Sequence, residues 1–332
     1  MKRFIDAQAG VYDTALKEIR AGRKTSHWIW YIFPQIQGMG YSYNSRYYAI
    51  KNLEEAEEYL QDETLGSRLR EITSALLEVQ GRSALDILGH IDAIKVKSCM
   101  TLFDFISPDN IFKQVLIKYF NDSYCRHTIK TLINQMKVND ALDYIGADPT
   151  DFHLTDSMFF RSTLDSIHGI DHVYRTMIGC AMIGKLIQKP RAALLAFCGA
   201  YIHDLARATD WEENEHGANA ALNYFDKFNK LWDKYGLTPT EREQVKEAVR
   251  QHSIRETTQK GEEGYDVMAI LKDADALDRC RIGDLNPAYL RYPQSCHLVR
   301  FIEYIYSKTV DYYEDITFID FINKYKKTSS HL

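Results

Sequence analysis

The stretch RAALLAFCGAYIHDLA, residues 191–206, is almost entirely apolar until a histidine and an aspartate appear near its end. An apolar run of this length fits a helix that is buried on every side in a helical bundle. Such a helix would deliver His203 and Asp204 at its polar end. Because a buried carboxylate beside an imidazole needs a cation or a matched donor, the pair indicates a metal site or an equivalent polar contact.

Further histidine and aspartate residues recur through the second half of the chain. Imidazole nitrogens and carboxylate oxygens are good ligands for divalent metals, and a bundle can direct them inward from several helices. The additional candidates are His172, His216, His252 and Asp275. Asp273, two residues before Asp275, competes for the last position.

The order of these residues and two flanking words, HGIDHVYR and ADALD, resemble the HD superfamily of phosphohydrolases over about residues 158–285. The resemblance implies one or two divalent ions, with Mn, Fe, Mg, Co, Ni and Zn as candidates. His216 and His252 match two extra histidines found in members with a second metal. The family pattern of Ala-Asp followed by Leu favours Asp275 over Asp273. The residues implied as ligands of the first metal are His172, His203, Asp204 and Asp275.

Groups beside the ligands could take part in phosphate chemistry. A divalent metal polarises a phosphoryl oxygen and lowers the pKa of a bound water, and Asp204 could orient that water or accept its proton. Arg175 and Arg207 are spaced to share a helix face with His172 and Asp204, so they could balance phosphoryl charge. The alternative for both arginines is a salt bridge. Its candidate partners are Asp171, Asp210 and Glu212.

His168 precedes His172 by four residues, a spacing that also suits metal binding. We interpret His168 as a hydrogen-bonding partner of a ligand or of the substrate, because the family pattern places the ligand at the histidine that is followed three residues later by arginine. Lys272 and Arg279 are further cationic candidates for phosphate contact.

The first half of the chain also shows helical periodicity. Apolar residues recur at intervals of three and four in 13–20 and 53–77, and a further helix is predicted over 112–136. Between them, the aromatic-rich segment 24–48 is interrupted by Pro34, Gly38 and Gly40, which predicts a long structured loop.

Residues 3 to about 137, beginning RFIDAQAGVYDTALKEIRAGRKTSHWIWYIFPQ, resemble a family of small helical bacterial proteins of unknown function, some of which are labelled calpastatin-like. The resemblance implies a compact α-helical domain and no established activity. Cations beside aromatic rings would suit a nucleotide or nucleotide-sugar pocket, and the alternative is the aromatic core of a small domain. The motif residues that form the candidate pocket are Asp6, Tyr12, Lys24, His27, Trp28 and Gln35.

Length and composition set the outer limits of the prediction. A chain of 332 residues suits two domains, and we place them at residues 1–140 and 155–325, with the polar segment 138–157 as the boundary. A net charge of −5 argues against an extended nucleic-acid surface. Six scattered cysteines indicate reduced thiols, and no stretch is apolar enough to span a membrane, so we expect a cytoplasmic protein without a membrane partner.

The sequence therefore predicts an all-α protein of two helical domains, the second an HD-type bundle around a metal site. Its expected activity is that of a metal-dependent phosphohydrolase: a phosphomonoesterase, phosphodiesterase or pyrophosphohydrolase. The expected substrate is a nucleotide or a related small phosphorylated molecule. One alternative is an HD-type di-iron oxygenase, since helical His/Asp sites also hold redox iron pairs. Another is a non-catalytic, metal-containing nucleotide-binding or sensor module.

Overall fold

A computed structural model describes residues 1–107, 110–163, 166–211, 213–309 and 315–328. These residues form helices and two isolated β-bridges, Ile36–Ile50 and His153–Thr317, and contain no strand. The predicted all-α class with two helical domains is confirmed. The chain divides into two compact units, Met1–Met136 and Lys137–Leu332. Within the described part, none of the helices combines the length and apolar character that a membrane span requires.

The first unit contains ten described α-helices. The most buried of them, α8 (His90–Ile106), is buried at every residue from Ser98 to Ile106. The helices are α1 (Lys2–Gln8), α2 (Tyr12–Arg20), α3 (Ile29–Ile32), α4 (Tyr43–Tyr47), α5 (Leu53–Gln61), α6 (Glu63–Glu78), α7 (Ala84–Leu88), α8 (His90–Ile106), α9 (Asn110–Phe120) and α10 (Arg126–Gln135).

Two helices predicted as continuous are each interrupted. The pattern over 53–77 is divided at Asp62, whose carboxylate accepts from the backbone N–H groups of Thr64 and Leu65 and so caps α6. The helix predicted over 112–136 is divided at Asn121 and Asp122, which have positive φ angles of 52° and 55°. Both breaks use residue types that hydrogen-bond locally or tolerate the left-handed region, a signal that apolar spacing does not carry.

The aromatic segment 24–48 contains two short helices, α3 and α4, where the sequence predicts a loop. Its start is held by the Glu18 carboxylate of α2. One oxygen accepts from both hydroxyls of Thr25 and Ser26 at 2.7 Å. The other accepts from their backbone N–H groups and from the indole N–H of Trp28 at 2.8 Å. A single carboxylate thus fixes the path of residues 25–28.

We expect Glu18→Gln to loosen this segment. Burial acts to raise the pKa of Glu18, but hydrogen bonds from Ser26, Thr25 and Trp28 outweigh it and lower the pKa to about 2. Hydrogen bonds to a charged acceptor are lost in the variant, at a cost of about 1–2 kcal/mol. Amide hydrogen exchange in peptides covering 12–33 should become roughly 5- to 30-fold faster.

The same carboxylate gives a pH test of the prediction. Because the folded pKa lies below the ordinary value of 4.5, the stabilisation is complete above pH 4.5 and is lost as the pH falls towards 2. Acidification from pH 5 to pH 3 should therefore destabilise the wild type more than Glu18→Gln. Glu54→Gln, on the exposed side of α5, is the control. Equal acid sensitivity of wild type and Glu18→Gln would contradict the assignment.

The second unit is a bundle in which α12 packs against α13 and α17, and α16 packs against α13, α14 and α17. Short 3₁₀ turns connect several of its helices. The described helices are α11 (Val138–Ile145), α12 (Ile170–Leu186), α13 (Pro190–Ile202), α14 (His216–Asn223), α15 (Asn229–Lys234), α16 (Pro239–His252), α17 (Tyr265–Leu277), α18 (Val299–Thr309) and α19 (Phe318–Thr328).

Two glycines of α12 let its neighbours approach closely. A Cβ atom at Gly184 would lie 2.0 Å from the Cβ of Ala193 in α13, and one at Gly179 would lie 2.9 Å from the Cβ of Ala274 in α17. Small residues at both crossings bring the backbones of three helices together. This close packing carries the candidate ligands of α12, α13 and α17 towards one point.

The segment 138–157, where the sequence indicates a boundary, is structured. It contains α11, whose packing against α12 and α13 makes it part of the bundle. Its buried residues are Val138, Ala141, Leu142 and Ile145, and Gly146 ends the helix in the left-handed conformation. The second unit accordingly begins at Lys137, earlier than residue 155.

Candidate metal centre

The apolar helix α13 ends at Ile202, and the His-Asp pair follows in the turn beyond it. His203 is the residue at the helix end, and both it and Asp204 are buried. The helix is shorter than the apolar run 191–206 indicates. Its end delivers an imidazole and a carboxylate into the bundle, as the sequence predicts.

Asp204 lies between two groups of histidines, and each of its oxygens faces one group. Oδ2 is 3.4 Å from Nε2 of His172 and 3.7 Å from Nε2 of His203. Oδ1 is 3.1 Å from Nε2 of His216 and 3.5 Å from Nε2 of His252. The structure therefore brings five of the six predicted ligands around one carboxylate.

Asp275 is the sixth predicted ligand, and it joins the cluster from α17. Its Oδ1 atom is 3.4 Å from Nε2 of His172. Asp273 instead accepts hydrogen bonds from the backbone N–H groups of Arg291 and Tyr292 and from the hydroxyl of Ser295. Side chains two positions apart on a helix point in nearly opposite directions, so Asp273 and Asp275 cannot both face the cluster. The geometry favours Asp275 as the ligand candidate.

The hydrogen bonds of the imidazoles leave their Nε2 atoms as lone-pair donors. His203 and His252 each donate Nδ1–H to a backbone carbonyl, that of Ala200 at 2.7 Å and that of Val249 at 2.6 Å. The ring nitrogen Nδ1 of His216 likewise contacts the carbonyl of Glu213. Since a carbonyl only accepts, Nδ1 carries the proton in each ring.

Lone pairs that converge in this way call for a cation. Nε2 of His216 lies 2.8 Å from Nε2 of His252, and Nε2 of His172 lies 3.1 Å from Nε2 of His203. Two nitrogen lone pairs at such distances repel unless a proton or a metal ion lies between or beside them. Three overlapping groups of these residues, together with His168, have ligand atoms close enough to share an ion. The donor set thus fits one or two divalent metals.

The pKa values show the same demand for positive charge. Burial acts to lower the pKa of His172, but hydrogen bonds that its ring donates to the carboxylates of Asp204, Asp275 and Asp278 outweigh burial and raise the pKa to about 10. Burial lowers the pKa of His203 to about 3, so that ring is neutral. A proton or a metal ion can supply the charge that these carboxylates require.

Arg175 is buried and does not line the cavity beside the cluster, so the structure does not support the predicted phosphate contact. Its side chain is 1% exposed, and its Nε and Nη2 atoms donate to the two oxygens of Asp278 at 2.5 and 3.0 Å. It also pairs with Asp171 at 2.6 Å, as the salt-bridge alternative predicts. Asp278 in turn accepts from Nδ1 of His172 at 2.8 Å. Arg175 therefore acts behind His172 as a positioning residue.

A cavity of about 400 Å³ opens beside the cluster. Asp204, Asp275, His216 and His252 line it, whereas His172 and His203 lie beneath its wall. His168, predicted to support a ligand, also lines the cavity. The remaining wall includes Ile167, Arg207, Asp210, Trp211, Arg279, Arg281 and Ile282.

His168 and Arg207 hold the two sides of Asp204. Nδ1 of His168 is 2.9 Å from Oδ2, as expected of a residue that supports a ligand. Nη1 of Arg207 lies 3.9 Å from Oδ1 and 3.1 Å from Nε2 of His216. Arg207 is thus in place to face a bound anion. Its proposed salt bridge to Asp210 is replaced by one from Arg161 to Asp210, and Glu212 lies outside the described residues.

The remaining cationic candidates differ in position. Arg279 lines the cavity and also donates to Asp284 at 3.0 Å. Lys272 donates to the carbonyl of Gln251 at 2.7 Å and does not belong to the cavity wall. Sequence reasoning missed Arg281, whose guanidinium lies at the wall against His168 at 3.2 Å. It also missed Asp278, whose position three residues after Asp275 was an available signal.

Two aromatic residues of the candidate pocket in the first unit, Tyr12 and Trp28, are buried. Tyr12 is buried and donates to Glu71 at 2.7 Å, and Trp28 is fully buried. The Lys24 ammonium lies 2.7 Å from Asp92 and 5.1 Å from the centre of the Trp28 ring. Because both rings are buried, neither offers a face to a nucleobase. For Tyr12 and Trp28 the burial favours the aromatic-core alternative.

The other three motif residues of the first unit lie nearer its surface. Asp6 and His27 are exposed, and Gln35 is half-buried. The backbone carbonyl of Gln35 accepts from the N–H of Ile50 at 2.9 Å, which closes the short bridge in this unit. This contact involves only the backbone of Gln35, so it assigns no role to the side chain.

Each half of the chain is similar to known proteins. A solved structure titled as the conserved hypothetical protein Rv1873 from Mycobacterium tuberculosis is 45% identical, with 40% of this chain and 94% of that chain covered and a TM-score of 0.39. No curated protein matches the chain. A family model for proteins of unknown function, DUF1810, matches residues 1–132, and the HD domain model matches residues 169–280. The two matches agree with the predicted two-part architecture, and the HD domain implies the superfamily of metal-dependent hydrolases.

Proposed function

We propose that the second unit is a metal-dependent phosphohydrolase that acts on a small phosphorylated substrate such as a nucleotide. The observation that carries the proposal is the arrangement of Asp204, with one oxygen towards His172 and His203 and the other towards His216 and His252. A carboxylate shared by two sets of imidazole nitrogens suits two divalent ions side by side. An open cavity next to this cluster leaves room for a substrate.

The proposed ligands fall into two sets that share Asp204. The first ion would be held by His172, His203, Asp204 and Asp275, and the second by Asp204, His216 and His252. Bound divalent ions of this kind polarise a phosphoryl oxygen and make an attacking water more acidic at neutral pH. The ion type is one of Mn, Fe, Mg, Co, Ni and Zn, all of which accept nitrogen and oxygen ligands.

The protein's own groups would bind and orient the substrate. Arg207 and Arg281 lie at the cavity wall near the carboxylate of Asp204 and the ring of His168. Their guanidinium groups are suited to a phosphoryl group, because they present several donors in one plane. His168 would hold Asp204 in orientation through the 2.9 Å contact at Nδ1. Asp204 would orient the attacking water or accept its proton.

A phosphate-release screen tests the proposal. Full-length protein is stripped with a chelator, reloaded separately with each candidate ion, and assayed with nucleotides, cyclic nucleotides and sugar phosphates. We expect release with at least one ion, and complete loss when the chelator is added again. Failure of every combination of ion and substrate would overturn the proposal.

The shared carboxylate would also suit a redox iron pair, so oxygen dependence is measured in the same screen. Phosphate release that is unchanged without oxygen supports the hydrolase. Oxygen uptake by the iron-loaded protein, without any phosphate release, would favour the oxygenase. Tight metal retention with neither reaction would favour a sensor module.

We further propose that the first unit selects or senses the ligand of the second, and that the protein works in the cytoplasm without nucleic-acid or membrane partners. All six cysteines are free, which suits a reducing compartment. Thermal-shift measurements with nucleotides and nucleotide-sugars on full-length protein carrying His27→Ala test the first point. Ligand shifts identical to those of the wild type would count against a role for His27.

A further inference from the structure

Among the described residues of the second unit, Trp211 is the most exposed large apolar side chain, although it lines the cavity beside the metal cluster. Its side chain is 82% exposed. A tryptophan left this open at the mouth of a polar cavity has a large aromatic face available to a ligand. The residues that line the cavity include Trp211 together with Asp204, His216 and Arg207.

The backbone of Trp211 is held by the residues that contact the cluster. Nη2 of Arg207 donates to the carbonyl of Trp211 at 2.9 Å, while Nε donates to the carbonyl of Thr209 at 3.0 Å. The N–H of Trp211 donates to the hydroxyl of Thr209 at 3.3 Å. The same arginine lies beside His216, so it links the backbone of Trp211 to the metal cluster.

Two aliphatic side chains also line the cavity. Ile167 and Ile282 line it and are 43% and 41% exposed. The cavity wall therefore combines carboxylates, imidazoles and guanidinium groups with aromatic and aliphatic side chains. A ligand that matches both parts has an anionic end and a planar apolar end.

We propose that Trp211 stacks on the base of a nucleoside phosphate whose phosphoryl group lies at the metal cluster. This inference rests on the proposed phosphohydrolase function and narrows its substrate class from phosphate esters to nucleotides. A cavity of about 400 Å³ falls within the usual size of small-ligand sites. Stacking of a base on an aromatic side chain strengthens binding by roughly 10- to 100-fold.

A pair of substrates that differ in the base provides the kinetic test. Adenosine 5′-monophosphate and ribose 5-phosphate carry the same phosphoester, and both are assayed with full-length, metal-loaded protein. We expect kcat/KM to favour the nucleotide by about 10- to 100-fold. Trp211→Ala should remove most of this preference by lowering kcat/KM for the nucleotide, and Trp211→Phe should retain it.

Tyr289→Ala is the matched control, because Tyr289 is 77% exposed in the same unit and does not line the cavity. It should leave the preference of the wild type intact. Equal use of the two substrates by the wild type would overturn the inference, as would a Trp211→Ala variant that loses activity on both equally.

Fluorescence gives a readout that needs no turnover. Trp28 and Trp232 are fully buried and Trp30 is half-buried, so iodide quenching is measured in a Trp30→Phe background, where it reports mainly on Trp211. Adenosine 5′-monophosphate should protect this fluorescence in the metal-loaded protein, and ribose 5-phosphate should not. Protection by adenosine 5′-monophosphate, together with no phosphate release from any substrate of the screen, would support the inference while overturning the proposed function. Phosphate release without protection would support the proposed function and overturn the inference.

Discussion

Replacing Asp204 with alanine is expected to abolish metal binding by the second unit and to lower turnover by more than about 10³-fold. Loss of an outer partner of a metal ligand costs roughly 10- to 100-fold. Removal of the Asp204 carboxylate should lower turnover further. Its two oxygens face His172 and His203 on one side and His216 and His252 on the other. The measurements are metal content by elemental analysis after gel filtration, and phosphate release.

Two further variants separate the two sides of this carboxylate. His252→Ala removes a group that faces Oδ1, and His203→Ala removes one that faces Oδ2. If two ions are bound, we expect each variant to retain about half of the wild-type metal content. Asp204→Ala should retain little of either ion, because it belongs to both sets.

The control for Asp204→Ala is Asp226→Asn, which removes a carboxylate that is 68% exposed and is absent from the cavity wall. It should keep wild-type metal content and turnover. Circular dichroism should give the same helical content for all variants. Normal metal content and turnover in Asp204→Ala would disprove the ligand assignment.

The ligand cluster could be predicted because its signals are local in the sequence. The apolar run before His203 and Asp204 identifies a buried helix that ends in polar groups, and α13 ends one residue before the pair. The choice between Asp273 and Asp275 followed from two flanking residues of the HD pattern. In the structure, Asp273 fixes the backbone at Arg291, whereas Asp275 faces His172.

Roles that depend on distant partners could not be predicted in this way. Arg175 shares a helix with His172, so its spacing alone allowed either a phosphate contact or a salt bridge. Its main partner, Asp278, is 103 residues away along the chain. The burial of Trp28 could not be predicted either. Its ring is enclosed by the core and its indole N–H is bound by the Glu18 carboxylate, and neither contact follows from the motif residues.

Replacing Arg175 with methionine is expected to destabilise the second unit by about 3 kcal/mol. Asp278 is fully buried, and removing its bidentate partner leaves a buried carboxylate with Arg281 at 3.6 Å as a nearby cation. Breaking a buried ion pair from one side typically costs about 3–5 kcal/mol. In chelated protein, amide exchange along α12 should become roughly 100-fold faster, with exchange along α6 of the first unit unchanged.

A double variant tests whether the lost pair is the cause. Asp278→Asn removes the charge that Arg175 balances and keeps a polar side chain beside Nδ1 of His172. Adding it to Arg175→Met should therefore cost less than the sum of the single changes. Arg250→Met, in a half-exposed ion pair with Glu247, should change exchange little and serves as the control.

The kinetics of Arg175→Met distinguish a positioning role from a phosphate contact. An arginine that binds phosphate would raise KM or lower kcat when removed, without changing exchange in chelated protein. An arginine that holds Asp278 behind His172 should loosen α12 and weaken metal binding first, so that added metal restores much of the turnover. Unchanged exchange together with a raised KM at saturating metal would return Arg175 to the role that its sequence spacing first indicated.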